Sequence, residues 1–355
     1  METENNIPIL TKVKRARRKK KDQRNPAENL IKALTFILPA QKRVGTIEQQ
    51  YCYIANNWIV ASNGTIMMAC NVEEDLNACP HTYQLLDALN NCSVGLSIVQ
   101  LNEYQLAINS EPFKGIVDCI NANDLVFLYT PLIDTIIVNT KLKEYFKILN
   151  PLISDSEDNA LYSNILIQDG SSVSTNGNII IEIWHGESFN GRKLAINKQC
   201  STALVKTDKE IKGIGSSENF ISFYFEDNSF LVTKAIDLVY PEYRGLFKNE
   251  CNPWPIPENL FKALKAIKPF CDDGIVCFNK GRVTNLTDVG NESSYIVDGI
   301  PDGMSLDIAS ILMIEPYAKS IEFDIESNKM FFFGDNLRGV ILGYGQAEEN
   351  KVTEE

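Results

Sequence analysis

The stretch 28-ENLIKALTFI-37 returns as 258-ENLFKALKAI-267, with seven of ten positions identical at an offset of 230 residues. Midway between them, 144-EYFKILNPLI-153 supplies a third copy. At an offset of 115 from each neighbour, Lys147 aligns with Lys32 and Lys262, Leu149 with Leu34 and Leu264, and Phe146 with Ile31 and Phe261. Self-similarity at a fixed period marks a chain built from structural repeats. In the outer copies apolar residues recur at i, i+4 and i+7 (Leu30, Leu34, Ile37; Leu260, Leu264, Ile267), the stripe of an amphipathic helix. At about 100° per residue, Lys32 and Lys262 stand about 200° from Leu30 and Leu260, on the face turned away from the core.

Each repeated helix precedes strands with period-two patterning and Asn/Gly turns. In the first unit 51-YCYIANNWIV-60 and 65-TIMMACNV-72 join through Asn63-Gly64; in the second, 162-YSNILIQ-168 and 178-NIIIEIW-184 join through Asn176-Gly177. A second helix is expected near 80–89, 196–205 and 305–314, followed by strands such as 219–225 with 229–236 and 321–325 with 329–334. The expectation is an α+β chain of three units of about 115 residues, each with two helices on antiparallel sheets.

Composition narrows the function. The 355 residues are 44% hydrophobic and 9% aromatic, as in an ordinary globular protein. No apolar run approaches the roughly 18 residues of a membrane helix, and the polar, basic N-terminus has no signal-peptide core, so a cytoplasmic protein is expected. Nine scattered cysteines without a C-x-x-C pair indicate reduced thiols rather than disulfides or zinc. With two histidines, no nucleophile or phosphate-loop motif and no grouped acids to hold magnesium as a nuclease would, the chain reads as a non-enzyme without metal or cofactor.

Charge is segregated. Residues 1–24 carry nine Lys/Arg, including Lys14, Arg15, Arg17, Arg18, Lys19, Lys20 and Lys21, against three acids, giving +6; the formal −12 of the whole leaves −18 for the rest. A basic run without apolar periodicity cannot offset chain entropy by burial, so a disordered arm able to meet phosphates is expected.

The segment 231-LVTKAIDLVYPEYRGLF-247, with Tyr240, Pro241, Glu242, Tyr243 and Arg244 in order, resembles the linker into the third domain of bacterial DNA sliding clamps, the beta subunit of DNA polymerase III. The turn in 173-VSTNGNIII-181 stands where that family commonly carries "ATDGHRLA". The resemblance spans residues 25–345 and implies clamp domains at 25–125, 132–250 and 251–346, between a basic arm (1–24) and an acidic tail (347–355).

It further implies a DNA polymerase processivity factor: a closed, head-to-tail homodimeric ring around double-stranded DNA that meets a clamp loader and a replicative polymerase. A ring that slides avoids base-specific contacts and feels phosphates through dispersed cations, while an acidic exterior repels DNA. The candidate DNA-facing residues are Lys32, Lys141, Lys143, Lys147, Lys198, Lys206, Lys262, Lys265 and Lys268. The resemblance also implies a partner-peptide cleft between the second and third domains, formed by Leu161, Thr175, Gly177, Asn178, Ile179, Ile180, Pro241, Gly245, Leu246, Val340 and Leu342.

This chain departs from the family pattern. Asn178-Ile179 replaces His-Arg, Gly245 replaces the second linker Arg, and Leu342-Gly343 replaces Met-Pro, which makes the cleft less basic and fits a dedicated partner motif such as one encoded by a phage or mobile element. The other reading is a clamp-fold regulatory protein that binds DNA or partners without encircling DNA.

Overall fold

The computed structural model describes residues 25–344 apart from Asp75 and residues 126–134, 155–160, 239, 241, 248–250 and 286–292. The basic arm, the tail 347–355 and Pro241 of the predicted cleft lie outside the described residues.

The repeated helices are present, in a register the sequence comparison misread. Helix α1 (Glu28–Ile37) buries Leu30, Ala33, Leu34 and Ile37; after a single turn, α2 (Ile47–Gln50), come α3 (Thr82–Asn90) and α4 (Leu142–Leu149). Helix α4 buries Leu142, Phe146 and Leu149. Helix α5 (Lys198–Lys206) follows, then α6 (Leu260–Ile267), which buries Leu260, Ala263, Leu264 and Ile267, and α7 (Ile308–Met313). Each of α1, α4 and α6 runs into a 3-10 turn with proline in second place: Pro39, Pro151 and Pro269, spaced 112 and 118 residues apart. Proline lacks the N–H that the α-helix would need and so stops all three at the same point. Leu149 is therefore the counterpart of Ile37 and Ile267, and Glu144, not Lys147, is the counterpart of Lys32 and Lys262. A slip of three residues nearly preserves a 3.6-residue stripe, which is why the sequence tolerated the wrong alignment.

In chain order the first repeat contains β1 (Tyr53–Ala55), β2 (Trp58–Ser62), β3 (Ile66–Asn71), β4 (Cys79–Pro80), β5 (Val94–Asn102), β6 (Gln105–Glu111) and β7 (Lys114–Ile120). The second contains β8 (Thr135–Ile137), β9 (Asn164–Gln168), β10 (Ser171–Thr175), β11 (Ile179–Trp184), β12 (Leu194–Asn197), β13 (Ile211–Ser216), β14 (Phe220–Phe225) and β15 (Phe230–Lys234). The third contains β16 (Trp254–Pro255), β17 (Ile275–Asn279), β18 (Arg282–Asn285), β19 (Ser294–Ile296), β20 (Met304–Asp307), β21 (Ser320–Asp324), β22 (Lys329–Phe333) and β23 (Leu337–Leu342). Every repeat thus carries one three-stranded meander before its second helix and another after it.

Two expectations for the first meanders need correction. The stretch 51–60 is two strands, because Asn56 and Asn57 adopt positive φ (53° and 61°) and turn the chain between β1 and β2; asparagine tolerates that region better than most residues. In the second repeat, β9 does not pair directly with β11: β10 lies between them, after a turn at Asp169-Gly170.

Sheet order shows how successive repeats join. The seven-stranded sheet runs β1-β2-β3-β15-β14-β13-β8 and the eight-stranded sheet β12-β9-β10-β11-β23-β22-β21-β16. In both, the third strand of one repeat's first meander pairs antiparallel with the third strand of the next repeat's second meander: β3 with β15, β11 with β23. The two meanders left over form separate four-stranded sheets, β4-β7-β6-β5 and β19-β18-β17-β20. The chain accordingly divides into two compact units, one of Met1–Phe146 with Gln199–Ile236 and the other of Lys147–Lys198 with Asp237–Glu355. Each unit holds one joined sheet and one unjoined meander.

The β11–β23 junction needs a glycine. A Cβ on Gly339 would collide with the Phe332 ring and come within 2.6 Å of the Ile180 carbonyl oxygen across the junction. Gly339→Ala should therefore destabilise the protein by about 3 kcal/mol through overpacking, read as a lowered urea midpoint; an unchanged midpoint would contradict this junction geometry.

Candidate partner-binding and DNA-facing surfaces

Alternation along the strands sets the surface on which the predicted cleft would be built. The registers Leu166↔Val173, Thr175↔Ile180, Ile180↔Val340 and Val340↔Phe331 place these side chains on one face of the eight-stranded sheet. Tyr240, Tyr243 and Phe247 of the linker cover that face, forming one buried cluster with Leu166, Val173, Ile180, Phe331 and Val340, flanked by half-buried Leu161, Leu238 and Phe333. The opposite face carries Ile179, Ile181, Ile183 and Ile341, all buried.

One buried carboxylate fixes the linker to the sheet. Glu182 Oε1 accepts hydrogen bonds from the Tyr243 hydroxyl (2.7 Å) and the Ser171 hydroxyl (2.9 Å). Its Oε2 accepts from Arg338 Nε (3.0 Å) and Nη2 (2.8 Å). Gln168 Nε2 donates to both Tyr243 Oη (2.7 Å) and Ser171 Oγ (3.1 Å), so the shell is itself satisfied. The Arg338 guanidinium lies 4.1 Å from the Phe247 ring centroid and 5.2 Å from that of Trp184. Burial opposes ionisation of Glu182, but the hydrogen bonds from Tyr243, Arg338 and Ser171 together outweigh it and hold the carboxyl below the ordinary carboxylate range. Burial, reinforced by the hydrogen bond to Glu182, pushes the Tyr243 phenol up to about 12.

Around this anchor the predicted cleft residues divide. Ile180 and Val340 are core residues beneath the linker, and Leu161 packs at its margin. Thr175 is buried, its hydroxyl donating to Ile179 O (2.8 Å) and accepting from Gly177 N (3.0 Å). Ile179 does not belong to the cleft face at all: one residue from Ile180, it points to the other side of the sheet, and the resemblance carried it over without regard to that alternation. The exposed remainder is Asn178, Gly245, Leu246 and Leu342, with Gly177 half-buried. At the β10–β11 hairpin Gly177 has φ +95°, and Tyr162 lies 3.3 Å from where a Cβ would stand. Leu342 N donates to Asn178 O (2.8 Å), and Asn178 Nδ2 donates to Tyr344 Oη (3.4 Å). The turn therefore gathers Gly177, Asn178, Leu342 and Tyr344, while Gly245 and Leu246 sit on the linker's 3-10 turn beside Phe247.

Of the nine candidate lysines, Lys32, Lys141, Lys147, Lys206, Lys262, Lys265 and Lys268 are exposed. Lys32 pairs with Glu28 and Lys265 with Glu315. Lys143 is buried at 6% exposure and is withdrawn as a DNA-facing residue. One position after Leu142, it stands about 100° round the helix from the apolar stripe and is covered along its flank. Lys198 is half-buried, and its ammonium donates to the carbonyls of Asn150 (2.9 Å) and Ile153 (2.6 Å), a structural engagement the sequence did not suggest.

No family model matches the sequence, and no curated protein does. Solved structures do. A putative DNA polymerase III beta subunit from Eubacterium rectale superposes with a TM-score of 0.75 at 15% identity, covering 90% of this chain and 98% of that one. The DNA polymerase sliding clamp of Bacillus subtilis gives 0.76 at 13% identity over 90% and 97%. The Helicobacter pylori beta clamp bound to DNA ligase peptide gives 0.73 at 15% identity over 90% and 98%. This chain has the bacterial sliding-clamp fold. At such identities the likeness is one of fold.

Within that clamp fold, sequence reasoning missed the Glu182–Arg338 pair. The signal was a single acid inside the apolar run 179-IIIEIW-184, facing an arginine in 337-LRGVIL-342, though their pairing needs the sheet order. Removing one partner of a buried pair leaves the other uncompensated, so Glu182→Gln should cost about 3 kcal/mol and Tyr243→Phe about 1.5 kcal/mol, with less than their sum in the double variant. Because the folded pKa of Glu182 is lowered, its contribution is present above the unfolded value near 4.5 and fades as pH falls through the lower folded value. The stability gap between wild type and Glu182→Gln should therefore narrow below pH 4.5 in chemical denaturation; a constant gap would contradict the ionised assignment.

Proposed function

We propose that the chain is a DNA sliding clamp: a head-to-tail homodimer that closes a ring around duplex DNA and tethers a replicative polymerase after opening by a clamp loader. The observation that carries this reading is the pair of unjoined meanders. Where third strands are joined, in β3, β11, β15 and β23, few of their residues are exposed. Among the described residues the corresponding strands of the leftover meanders are open: β19 ends its sheet, and β7 is covered on its outer side only at its end, where the two-residue β4 pairs with Cys119 and Ile120; Ile116 and Ile296 stand 61% and 63% exposed on them. Unpaired edges with outward apolar side chains are aggregation hazards in a monomer. Repeating the β3–β15 and β11–β23 rule once more pairs β19 of one copy with β7 of the next, and two such contacts close a two-fold assembly.

Within this reading the sequence repeats at 25–125, 132–250 and 251–346 are the clamp domains, and the exposed helix lysines face DNA through water. The basic arm adds phosphate contacts during association. The exposed part of the cleft, Asn178, Leu246 and Leu342 above all, receives partner motifs, as the Helicobacter pylori clamp receives a DNA ligase peptide. The deciding experiment places the protein with its loader on nicked circular DNA that is then linearised. A ring is retained on the circle through high salt and lost from the line; equal, salt-sensitive association with both would instead identify a clamp-fold binding protein that does not encircle DNA. Ile296→Asp should convert the dimer to a monomer by light scattering and abolish retention, with the monomer's thermal midpoint little changed.

Lys206, Lys262 and Lys268 have no carboxylate partner among the described residues. Replacing all three by alanine should flatten the salt dependence of equilibrium binding to a short duplex, by about 0.9 in log–log slope for each phosphate no longer neutralised. An unaltered slope would remove these lysines from the DNA-facing set.

A further inference from the structure

A cavity of about 210 Å³ lies on the unit formed by Lys147–Lys198 and Asp237–Glu355. Its lining includes none of the predicted cleft residues, although Leu166, Tyr240 and Tyr243 share a buried cluster with Ile180 and Val340. Its buried walls are Leu166, Gln168, Tyr240 and Tyr243, and the exposed side chains on it include Arg192, Lys193 and Arg244. Three cations around one small concavity stand out on a chain whose formal charge is −12.

The two acids beside the cavity are already engaged. Asp169 accepts from the backbone N–H of Gly191 (2.9 Å), from that of Phe189 and from the Ser188 hydroxyl (3.4 Å). Those backbone hydrogen bonds hold its carboxyl below the ordinary range. Glu242 Oε1 accepts from Arg244 N (2.9 Å). Both carboxylates brace their own loops, whereas Lys193 and Arg244 have no carboxylate partner among the described residues. A second observation concerns the wall: the Tyr240 hydroxyl is buried with no hydrogen-bond partner among the described residues, and burial pushes its phenol up. Buried hydroxyls are ordinarily satisfied, and a ligand group is one way an orphan is completed.

We propose that this cavity accepts one carboxylate-bearing residue of a partner peptide, its stem against Leu166 and the tyrosine rings and its carboxylate held by Lys193 and Arg244. The volume is below the roughly 300–1,000 Å³ of a site for a drug-sized ligand, which suits a single side chain. A recessed, partly apolar pocket is also a poor match for a phosphodiester backbone, which is met by open tracks of cations. Ion-paired hydrogen bonds of this kind are about twice as strong as neutral ones, so the charge on the ligand decides binding. The inference rests on the partner-tethering part of the proposed function and is independent of the ring.

The test titrates the full-length protein, by NMR with labelled tyrosine, with the capped dipeptides Ac-Leu-Glu-NH2 and Ac-Leu-Gln-NH2. The glutamate dipeptide should saturate with shifts at Tyr240 and Tyr243 and bind about tenfold more tightly than its carboxamide twin. Lys193→Glu and Arg244→Glu, made separately so that either can report if the other misfolds, should each weaken it by about tenfold or more. Equal binding of the two dipeptides, absence of saturation, or full binding in a folded variant would overturn the assignment. So would displacement of the glutamate dipeptide by a 12-base-pair duplex, which would make the site a DNA contact. Retention on circular DNA does not involve Lys193, so this inference can fail while the ring reading stands.

Discussion

A three-stranded antiparallel meander has an outer edge of unpaired N–H and C=O groups, and the architecture of this chain follows from how those edges are closed. Two junctions, β3 with β15 and β11 with β23, close four of them inside the chain by pairing each repeat's first meander with the second meander of the repeat that follows. Because the pairing always links one repeat to the next, a linear chain of three must leave one meander of each kind unjoined. β5-β6-β7 and β17-β18-β19 are the two left over. Their exposure is a consequence of the repeat number, not a local defect of sequence.

The β11–β23 junction also bears the linker, and its chemistry explains why a charged pair is buried there. Glu182 and Arg338 face each other across the junction while Tyr243 and Phe247 approach from the linker, so one carboxylate links β10, β11, β23 and the linker at once. A buried ion pair is weak evidence for stability as such. Its effect here is geometric: hydrophobic side chains would tolerate several linker positions, whereas the Glu182 lone pairs accept donors from Tyr243, Ser171 and Arg338 in one arrangement. Fixing the linker holds its exposed residues Arg244 and Leu246 in place, and both belong to surfaces assigned to partners.

Much of the fold was legible in the sequence because it repeats. Three helices, their apolar stripes and the Asn-Gly hairpins could be found by self-comparison, and the clamp resemblance followed from their order. The errors came where periodicity is degenerate. A three-residue slip keeps a helical stripe nearly intact, so Lys147 was matched to Lys32 although Pro39, Pro151 and Pro269 give the true register. The period-two rule was not applied to Ile179, which shares its turn with the cleft but not its face. Lys143 was taken as exposed from residue type, and its burial depends on what flanks α4. The network around Glu182 and the cavity beside Tyr240 need the strand order and the linker's path, which no local pattern encodes.

Concentration-dependent hydrogen exchange tests the closure of the leftover edges most directly, since it requires no substitution and reports each strand separately. The account predicts that the outward-pointing backbone amides within Lys114–Val117 of β7 and Ser294–Ile296 of β19, those not bonded to β6 or β18, are protected at high protein concentration. They should lose that protection together on dilution, while β3, β11, β15 and β23 stay protected throughout. Rapid exchange of those outward-pointing amides at every concentration, or concentration-dependent protection appearing along β5 instead, would contradict the proposed pairing of β19 with β7.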